Sequence, residues 1–373
     1  MALCENQAWG DEAAESFQRS TAAAAASEYQ GIIEGIRSGD EKCRVEAAKE
    51  IRRLTKTSSK HRRQLSGAVD PLVEMLRSGS LECKESALLA LLNLAVMDER
   101  NKIKIVDAGA LEPLVDFLQS ANTVLKEHAA AAVLTLTASA VNRPCVGAAG
   151  AIPLLVELLS DGNPQAALDA AMALTNLATV PDNLRAVLAA RPVPALVGLL
   201  RGCRKSSKMA DKCSALLEAL LRFEEARTAL TAAHGGVLAV VEVLEEGSLL
   251  GREHAVGGLL ILCESDRDTY REAILNEGAI PGLLELTVQG TAKSQAKAQV
   301  LLQLLRESPY RRRKSEKFQP ETFENIVCNI VSQIDGEVPG EKAKKMLAEM
   351  VQVSMQQSLR HLQRRALICI PPP

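Results

Sequence analysis

Polar side chains recur every 40 to 43 residues through most of the chain. One row contains Arg53, Asn93, Thr135, Asn176, Glu218 and Gln303, with the apolar Ile261 before the last. A second row, seven residues earlier, contains Glu46, Ser86, His128, Asp169, Asp211 and His254. A side-chain amide such as that of Asn93 can donate and accept hydrogen bonds at once, as an extended peptide backbone requires. The chemistry available to these rows is therefore recognition of a peptide or of a flexible protein segment.

Neither row resembles a catalytic constellation. The sequence contains no G-x-x-x-x-G-K-[ST], G-x-G-x-x-G, H-E-x-x-H or G-x-S-x-G motif. Its five histidines are scattered, and its nine cysteines include no C-x-x-C pair, so neither set has the spacing of metal ligands. We therefore predict no catalytic residue, no bound metal and no cofactor, and we do not expect an enzyme.

The spacing of the rows matches that of a recurring phrase. GAIPLLVELL at 150–159 returns as GAIPGLLELT at 278–287, and related phrases begin at Gly67, Gly109, Arg191 and Gly235. Successive phrases begin 41 to 44 residues apart. A fixed period in the low forties is typical of stacked helical repeats of the armadillo or HEAT kind.

Three helices are predicted within each period. In residues 98–139, a first apolar pattern stops at Gly109, a plausible left-handed helix end. A second begins near Pro113, which a first helical turn tolerates because the missing N–H costs nothing there. Asn122 offers a cap for a third and longer helix. Three helices with a glycine turn between the first two favour armadillo repeats over two-helix HEAT repeats.

We therefore predict an all-α fold, an armadillo-repeat right-handed superhelical solenoid with about six repeats, an N-terminal cap and C-terminal helices. The predicted organisation is a disordered tail (1–27), a capping partial repeat (28–57), armadillo repeats (58–308), a basic linker (309–320) and a C-terminal helical extension (321–373). In such a solenoid the third helices line a concave groove. The two polar rows would then flank a floor that includes Leu89, Ala131 and Met172.

Charge is balanced overall but unevenly distributed. The formal net charge is −2, which argues against direct nucleic-acid binding. Residues 37–63 contain ten basic and four acidic side chains, whereas residues 211–285 contain fourteen acidic and six basic ones. Such stretches are either a solvated repeat surface or a charged docking patch, and the sequence leaves both possibilities open.

The sequence also carries signals about location. No secretory signal opens the chain and no uninterrupted apolar run reaches about 18 residues, so we expect no transmembrane segment. The short basic run Arg311, Arg312, Arg313 and Lys314 is a candidate nuclear-import signal. We expect a cytoplasmic protein, a nuclear protein or one found in both places.

Several phrases carry a family resemblance. NKIKIVDAGALEPLVDFL, SALLALLNLAV and GTAKSQAKAQVLLQLLRE resemble the armadillo domains of plant U-box ubiquitin ligases, as does the ending MVQVSMQQSLRHLQRRA. The resemblance covers about residues 30–366. It implies a domain that binds substrates and receptor-like kinases, while a separate U-box recruits the ubiquitin-conjugating enzyme. The 27 residues before the first predicted repeat are too few for a U-box core. We therefore expect an armadillo-only relative without ligase activity.

Two functions follow as hypotheses. The first is a non-enzymatic scaffold that binds peptide or protein segments in its groove, in signalling or ubiquitin-pathway complexes. The second is a substrate-recognition component of a ubiquitin ligase whose catalytic subunit is another chain. Candidate partner classes are receptor-like kinases, ubiquitin-ligase components and transcription regulators, and the oligomeric state is left open. Similarity to importin alpha is weak, because the floor row lacks tryptophan and the Asn row keeps only Asn93 and Asn176.

Overall fold

The computed structural model describes residues 29–306, and these residues form helices and no strands. The predictions for the tail at 1–27, the linker at 309–320, the extension at 321–373 and the basic run Arg311–Lys314 lie outside the described residues. The chain divides into two compact units, Met1–Ala195 and Leu196–Pro373.

Twenty α-helices follow one another in the described part of the chain, and most belong to six triplets. Before the triplets come α1 (29–36) and α2 (Glu41–Thr55). The first three triplets are α3 (Ser59–Gln64), α4 (Val69–Met75) and α5 (Leu81–Ala95); α6 (Glu99–Asp107), α7 (Leu111–Leu118) and α8 (Thr123–Thr137); α9 (Arg143–Ala148), α10 (Ala151–Leu158) and α11 (Pro164–Leu177). The next three are α12 (Pro181–Ala189), α13 (Val193–Gly202) and α14 (Lys208–Leu220); α15 (Glu224–Ala232), α16 (Gly236–Glu246) and α17 (Leu249–Ser265); α18 (Arg267–Asn276), α19 (Ile280–Gln289) and α20 (Ala292–Leu305).

The third helices stack side by side within each unit. In the first unit α2 packs on α5, α5 on α8, and α8 on α11. In the second unit α14 packs on α17, and α17 on α20. This arrangement of six three-helix repeats confirms the all-α armadillo prediction, and it places residues at equivalent positions of successive third helices next to one another.

The start of each third helix is fixed by a capping side chain. In all seven cases this side chain accepts a hydrogen bond from a backbone N–H of the first turn, which otherwise has no intrahelical partner. The caps are Asp40, Ser80, Asn122, Asn163, Ser207, Ser248 and Thr291. The cap predicted at Asn122 is thus confirmed.

The turn between the first and second helices is also fixed locally. Gly109, Gly150, Gly235 and Gly278 have left-handed backbones, with φ between +69° and +84°, which glycine adopts without a Cβ penalty. Arg191 occupies the equivalent turn with φ +53°. Gly109 was predicted to end its helix in this conformation, and the structure confirms it.

The core consists mainly of leucine, alanine and valine. Small residues on the third helices, such as Ala90, Ala130 and Ala171, are completely buried, which lets neighbouring helices approach closely. No single helix between residues 29 and 306 is long and apolar enough to cross a membrane. Two bent pairs of consecutive helices, α12 with α13 and α15 with α16, have the length and the apolar composition of a membrane span when each pair is taken together.

Candidate partner-binding surface

The third helices of the first unit present a partly exposed strip. Leu89, Ala131 and Met172 occupy equivalent positions of α5, α8 and α11, and each is half-buried. Asn93, Thr135 and Asn176, also half-buried, lie one helical turn further along the same three helices. We call these six residues the third-helix face. Neighbouring helices supply the members of each row, so each row runs across α5, α8 and α11. The first row is an apolar floor, and the second row places polar groups beside it.

Each polar member of the face already makes one hydrogen bond. Asn93 Nδ2 donates to Arg52 O on α2 at 2.8 Å, and Asn176 Nδ2 donates to Thr137 Oγ1 on α8 at 3.3 Å. Thr135 Oγ1 donates to Ala131 O, one turn back in its own helix, at 2.8 Å. The amides of Asn93 and Asn176 therefore link neighbouring helices through nitrogen, and no hydrogen bond to either Oδ1 is found within residues 29–306. Arg53, at the α2 end of the row, is exposed and pairs with Glu50 at 2.5 Å.

The second predicted row is less accessible in the first unit. Ser86 and Asp169 are each only 7% exposed. Asp169 Oδ1 accepts a hydrogen bond from Gln165 Nε2 at 3.0 Å. His128 lies between them in the row and is half-buried, and its Nδ1 atom is buried without a hydrogen-bond partner in the described residues. Ser86 and Asp169 are therefore less accessible to a partner than the half-buried residues of the third-helix face.

In the second unit, the predicted residues are engaged with one another. Glu218 on α14 contacts His254 Nδ1 on α17 at 2.7 Å and Lys297 Nζ on α20 at 2.6 Å. Gly257 makes room for this three-helix network, since a Cβ there would overlap Glu218 Oε1. Burial raises the pKa of the Glu218 carboxyl, but the hydrogen bonds from His254 and Lys297 outweigh burial and hold this pKa below its ordinary value of 4.5.

Two further predicted residues of the second unit differ in exposure. Asp211 Oδ1 on α14 accepts a hydrogen bond from Ser248 Oγ, the cap of α17, at 2.6 Å. Gln303 on α20 is exposed. The structure therefore brings Glu218 and His254 together, ties Asp211 to the next helix, and leaves Gln303 open to solvent.

A periodic set of asparagines was missing from the sequence predictions. Asn101, Asn142 and Asn183 are spaced 41 residues apart and are at most 4% exposed. Asn101 and Asn183 lie on the first helices α6 and α12, and Asn142 is the N-cap of the first helix α9. Asn101 Nδ2 donates to Arg62 O and Leu94 O, both at 3.1 Å, and Asn142 Nδ2 donates to Lys102 O at 3.0 Å and Leu136 O at 3.2 Å. Asn183 Nδ2 donates to Arg143 O at 2.8 Å. The 41-residue spacing was visible in the sequence and could have revealed this set.

Two observations concern metal binding and nucleophilic groups in the described residues. No group of three or more His, Cys, Asp or Glu side chains between residues 29 and 306 could hold a metal ion. The buried thiol of Cys213 has its pKa raised to about 12 by burial and by the nearby Cys203, so it is a poor nucleophile. What the arrangement can do is bind, through half-exposed apolar side chains and free amide acceptors.

Stacked three-helix repeats with this surface define the armadillo-repeat class of proteins. The family described as "Plant U-box protein ARM repeat region" matches residues 28–316. This match spans most of the chain, and the chain therefore belongs to that family.

Individual relatives match over shorter stretches. A segment of 100 residues is 34% identical to U-box domain-containing protein 45 of Arabidopsis thaliana, and one of 78 residues is 40% identical to U-box domain-containing protein 3 of the same plant. These segments are 27% and 20% of this chain but only 13% and 10% of the two relatives. The chain thus spans a small part of the curated relatives that it matches.

Solved structures show the same fold. The match to one engineered protein covers 87% of this chain and 77% of the engineered protein, with a TM-score of 0.68 and 24% identity. A second match is to a designed armadillo repeat protein, described as made for modular peptide recognition. It covers 74% of this chain and 98% of the designed protein, with a TM-score of 0.50 and 21% identity.

Proposed function

We propose that this protein is a non-enzymatic scaffold that binds an extended segment of a partner protein on the third-helix face. Armadillo repeats typically bind proteins, and solenoid repeats provide extended surfaces for doing so. The observation that carries the proposal is the alignment of Leu89, Ala131 and Met172 beside Asn93 and Asn176 on three adjacent helices. Apolar side chains of a bound segment would contact the floor, and its backbone N–H groups would donate to the amide oxygens.

Site-specific crosslinking tests where the partner binds. A photoreactive phenylalanine replaces Met172 on α11, and in a control it replaces Val156, which is also half-buried but lies on the second helix α10. Proteins crosslinked in plant extract at position 172 and absent at position 156 would place binding on the third helices. Equal crosslinking at both positions, or none at 172, would contradict the proposal.

Purified components should then show the role of the amides. We expect the double substitution Asn93→Ala and Asn176→Ala to weaken binding of a crosslinked partner by about thirtyfold, because two hydrogen bonds of about 1 kcal/mol each are lost. Asn122→Ser is the matched control, since serine also caps a helix and Asn122 lies outside the face. Unchanged affinity in the double variant would remove the amides from the site.

Membership in the U-box ARM family suggests a link to the ubiquitin pathway, and it supports a second candidate function. In that alternative the protein recognises substrates for a ubiquitin ligase whose catalytic subunit is another chain. Reconstitution separates the two: adding this protein to ubiquitin-conjugating enzyme, ligase and bound partner should increase ubiquitination under the alternative. A scaffold without that role should leave ubiquitination unchanged or reduce it by competition.

Partner classes and location remain proposals of the same kind. Receptor-like kinases, ubiquitin-ligase components and transcription regulators are the classes to test first. A nuclear location is proposed from the basic run Arg311–Lys314, with a cytoplasmic location as the alternative. Imaging of a tagged protein with and without Arg311→Gln and Arg312→Gln would test it, since only an import signal predicts loss from the nucleus.

A further inference from the structure

Exposed apolar side chains gather on two neighbouring turns of the first unit. Val96 and Met97 follow α5 with 40% and 90% of their surface exposed, and Val141, in the turn after α8, is 64% exposed. Single exposed apolar residues are ordinary on soluble proteins. Here three of them occupy the turns that connect third helices to first helices in consecutive repeats.

Met97 is held in a backbone conformation that disfavours it. Val96 has φ −60° and ψ 122°, Met97 has φ 56°, and Asp98 N–H donates to Ala95 O at 3.2 Å, which together describe a type II β-turn. The third position of such a turn strongly prefers glycine or asparagine. A methionine there has an unfavourable backbone and a solvent-exposed apolar side chain at once. Strain of this kind is concentrated at functional sites.

Four exposed cations lie at helix ends and on first helices that border these turns. Lys56 ends α2, Lys60 and Arg63 lie on α3, and Arg100 lies on α6. None of the four forms a salt bridge within residues 29–306. The carboxylate nearest in sequence to Arg100, that of Glu99, pairs with Lys102 at 3.3 Å.

Buried hydrogen bonds hold these turns together. The Arg62 guanidinium donates to Thr55 O and Asn93 O at 3.0 Å and to Lys56 O at 3.2 Å, so the ends of α2 and α5 lie within the width of one side chain. Asn101 and Asn142 continue this series of bonds to the next two first helices. The cations and the apolar residues therefore border one hydrogen-bonded series of turns, which we call the turn edge: Lys56, Lys60, Arg63, Val96, Met97, Arg100 and Val141.

We propose that the turn edge is a second docking surface, separate from the third-helix face, for an acidic protein segment that carries a bulky apolar side chain. The carboxylates of such a segment would pair with the unpartnered cations. Its apolar side chain would cover Met97 and the adjacent valines. Under this proposal, the part of the basic stretch at 37–63 that holds Lys56, Lys60 and Arg63 is a charged docking patch.

The composition of the turn edge favours a protein segment over an anionic membrane. Surface-binding elements of peripheral membrane proteins combine basic residues with tryptophan, phenylalanine or leucine on an amphipathic helix. The turn edge contains no aromatic side chain, and its apolar residues lie in turns. A methionine between cations instead suits an irregular peptide, because methionine adapts its shape to different side chains.

Fluorescence anisotropy of the full chain tests the proposal. The probes are fluorescein-labelled peptides of Asp, Glu and Ser with one central Leu, and the same peptides with Ser in place of that Leu. We expect the Leu peptides to bind, and to bind more weakly as salt rises, because exposed charge pairs are screened. Met97→Asn should weaken binding about tenfold while leaving the melting temperature unchanged or raised, since asparagine tolerates the turn. Lys60→Gln with Arg63→Gln should weaken binding by at least as much.

Matched variants and vesicles decide the outcome. Val288→Asn and Lys208→Gln change an exposed apolar residue and an exposed basic residue of the second unit and should leave peptide binding intact. The proposal is overturned if no Leu peptide binds, if Leu and Ser peptides bind equally, or if Met97→Asn binds like the wild type. Binding to phosphatidylserine vesicles in place of the peptides would overturn it too and would assign the edge to membranes. Loss of peptide binding in Asn93→Ala with Asn176→Ala would show that the peptides occupy the third-helix face instead.

Discussion

At the scale of single residues, five turns between first and second helices share a left-handed backbone, and four of them use glycine. The fifth, at Arg191, has φ +53°. A left-handed backbone costs a non-glycine residue about 1–2 kcal/mol, whereas glycine costs about 0.5–1 kcal/mol in lost freedom on folding. We therefore predict that Arg191→Gly raises the free energy of unfolding by about 0.5–1 kcal/mol, measured by urea denaturation.

The reverse change at an equivalent turn is the control. Gly150 has φ +84° and open space around it, so Gly150→Ala should lower the free energy of unfolding by about 1 kcal/mol through backbone strain alone. If Arg191→Gly destabilised the protein, the exposed Arg191 side chain would have to make a stabilising interaction that the structure does not show.

At the scale of helices, the buried asparagines join one repeat to the next. Asn142→Ala removes a donor that serves two carbonyl oxygens, Lys102 O and Leu136 O. Losing two buried hydrogen bonds costs about 1–3 kcal/mol, and the side-chain cavity adds to that cost. We predict that Asn142→Ala lowers the free energy of unfolding by about 3 kcal/mol in urea denaturation.

Asn176→Ala is the matched control for that substitution. Asn176 is half-buried and makes one longer bond of 3.3 Å, so its loss should cost less than about 1 kcal/mol. If both variants lost the same free energy of unfolding, the buried hydrogen bonds of Asn142 would not stabilise the packing of repeats more than an ordinary surface hydrogen bond does.

The network around Glu218 makes the stacking of α14, α17 and α20 depend on pH. Because folding lowers the pKa of this carboxyl, the ionised group stabilises the fold above its ordinary pKa of 4.5. That stabilisation is lost as pH falls through the lower folded-state pKa. We predict that the stability difference between wild type and Glu218→Gln is largest above pH 4.5 and shrinks progressively below it.

Chemical denaturation at a series of pH values measures this difference. Glu246→Gln, at the exposed end of α16, controls for the removal of one carboxylate from the second unit. A difference between wild type and Glu218→Gln that stays constant as pH falls well below 4.5 would show that Glu218 contributes through packing and not through its charge.

At the scale of the whole molecule, the sequence predicted what is local and periodic. The turn at Gly109 and the helix cap at Asn122 could be predicted, because each residue acts on its own backbone neighbours. The burial of Asp169 was not predictable, because it depends on how closely α8 and α11 approach. The pairing of Glu218 with Lys297 joins residues 79 positions apart and depends on the absence of a side chain at Gly257. Periodicity thus located the third-helix face, but it did not show which polar groups on the third helices are already engaged.

Repeat stacking also determines how far local unfolding, caused by a substitution in the core, should extend through the first unit. Each repeat contacts mainly its neighbours, so stability is approximately a sum of repeat terms and nearest-neighbour interface terms. Leu177 on α11 is completely buried, and an uncompensated charge there would unfold its own repeat. We predict that Leu177→Asp removes hydrogen-exchange protection from α11 completely, from α8 strongly, from α5 weakly and from α2 least.

Met172→Asp is the control on the same helix. Met172 is half-exposed on the third-helix face, so its new carboxylate can remain hydrated and protection in α8 and α5 should persist. Loss confined to α11 in Leu177→Asp would mean that the repeats fold independently. Equal loss from α2 to α11 would mean that the first unit is one cooperative block. Contacts between neighbouring helices predict that the loss of hydrogen-exchange protection declines from α11 to α2, helix by helix. The reason is that α2 packs on α5, α5 packs on α8, and only α8 among these third helices packs closely on α11.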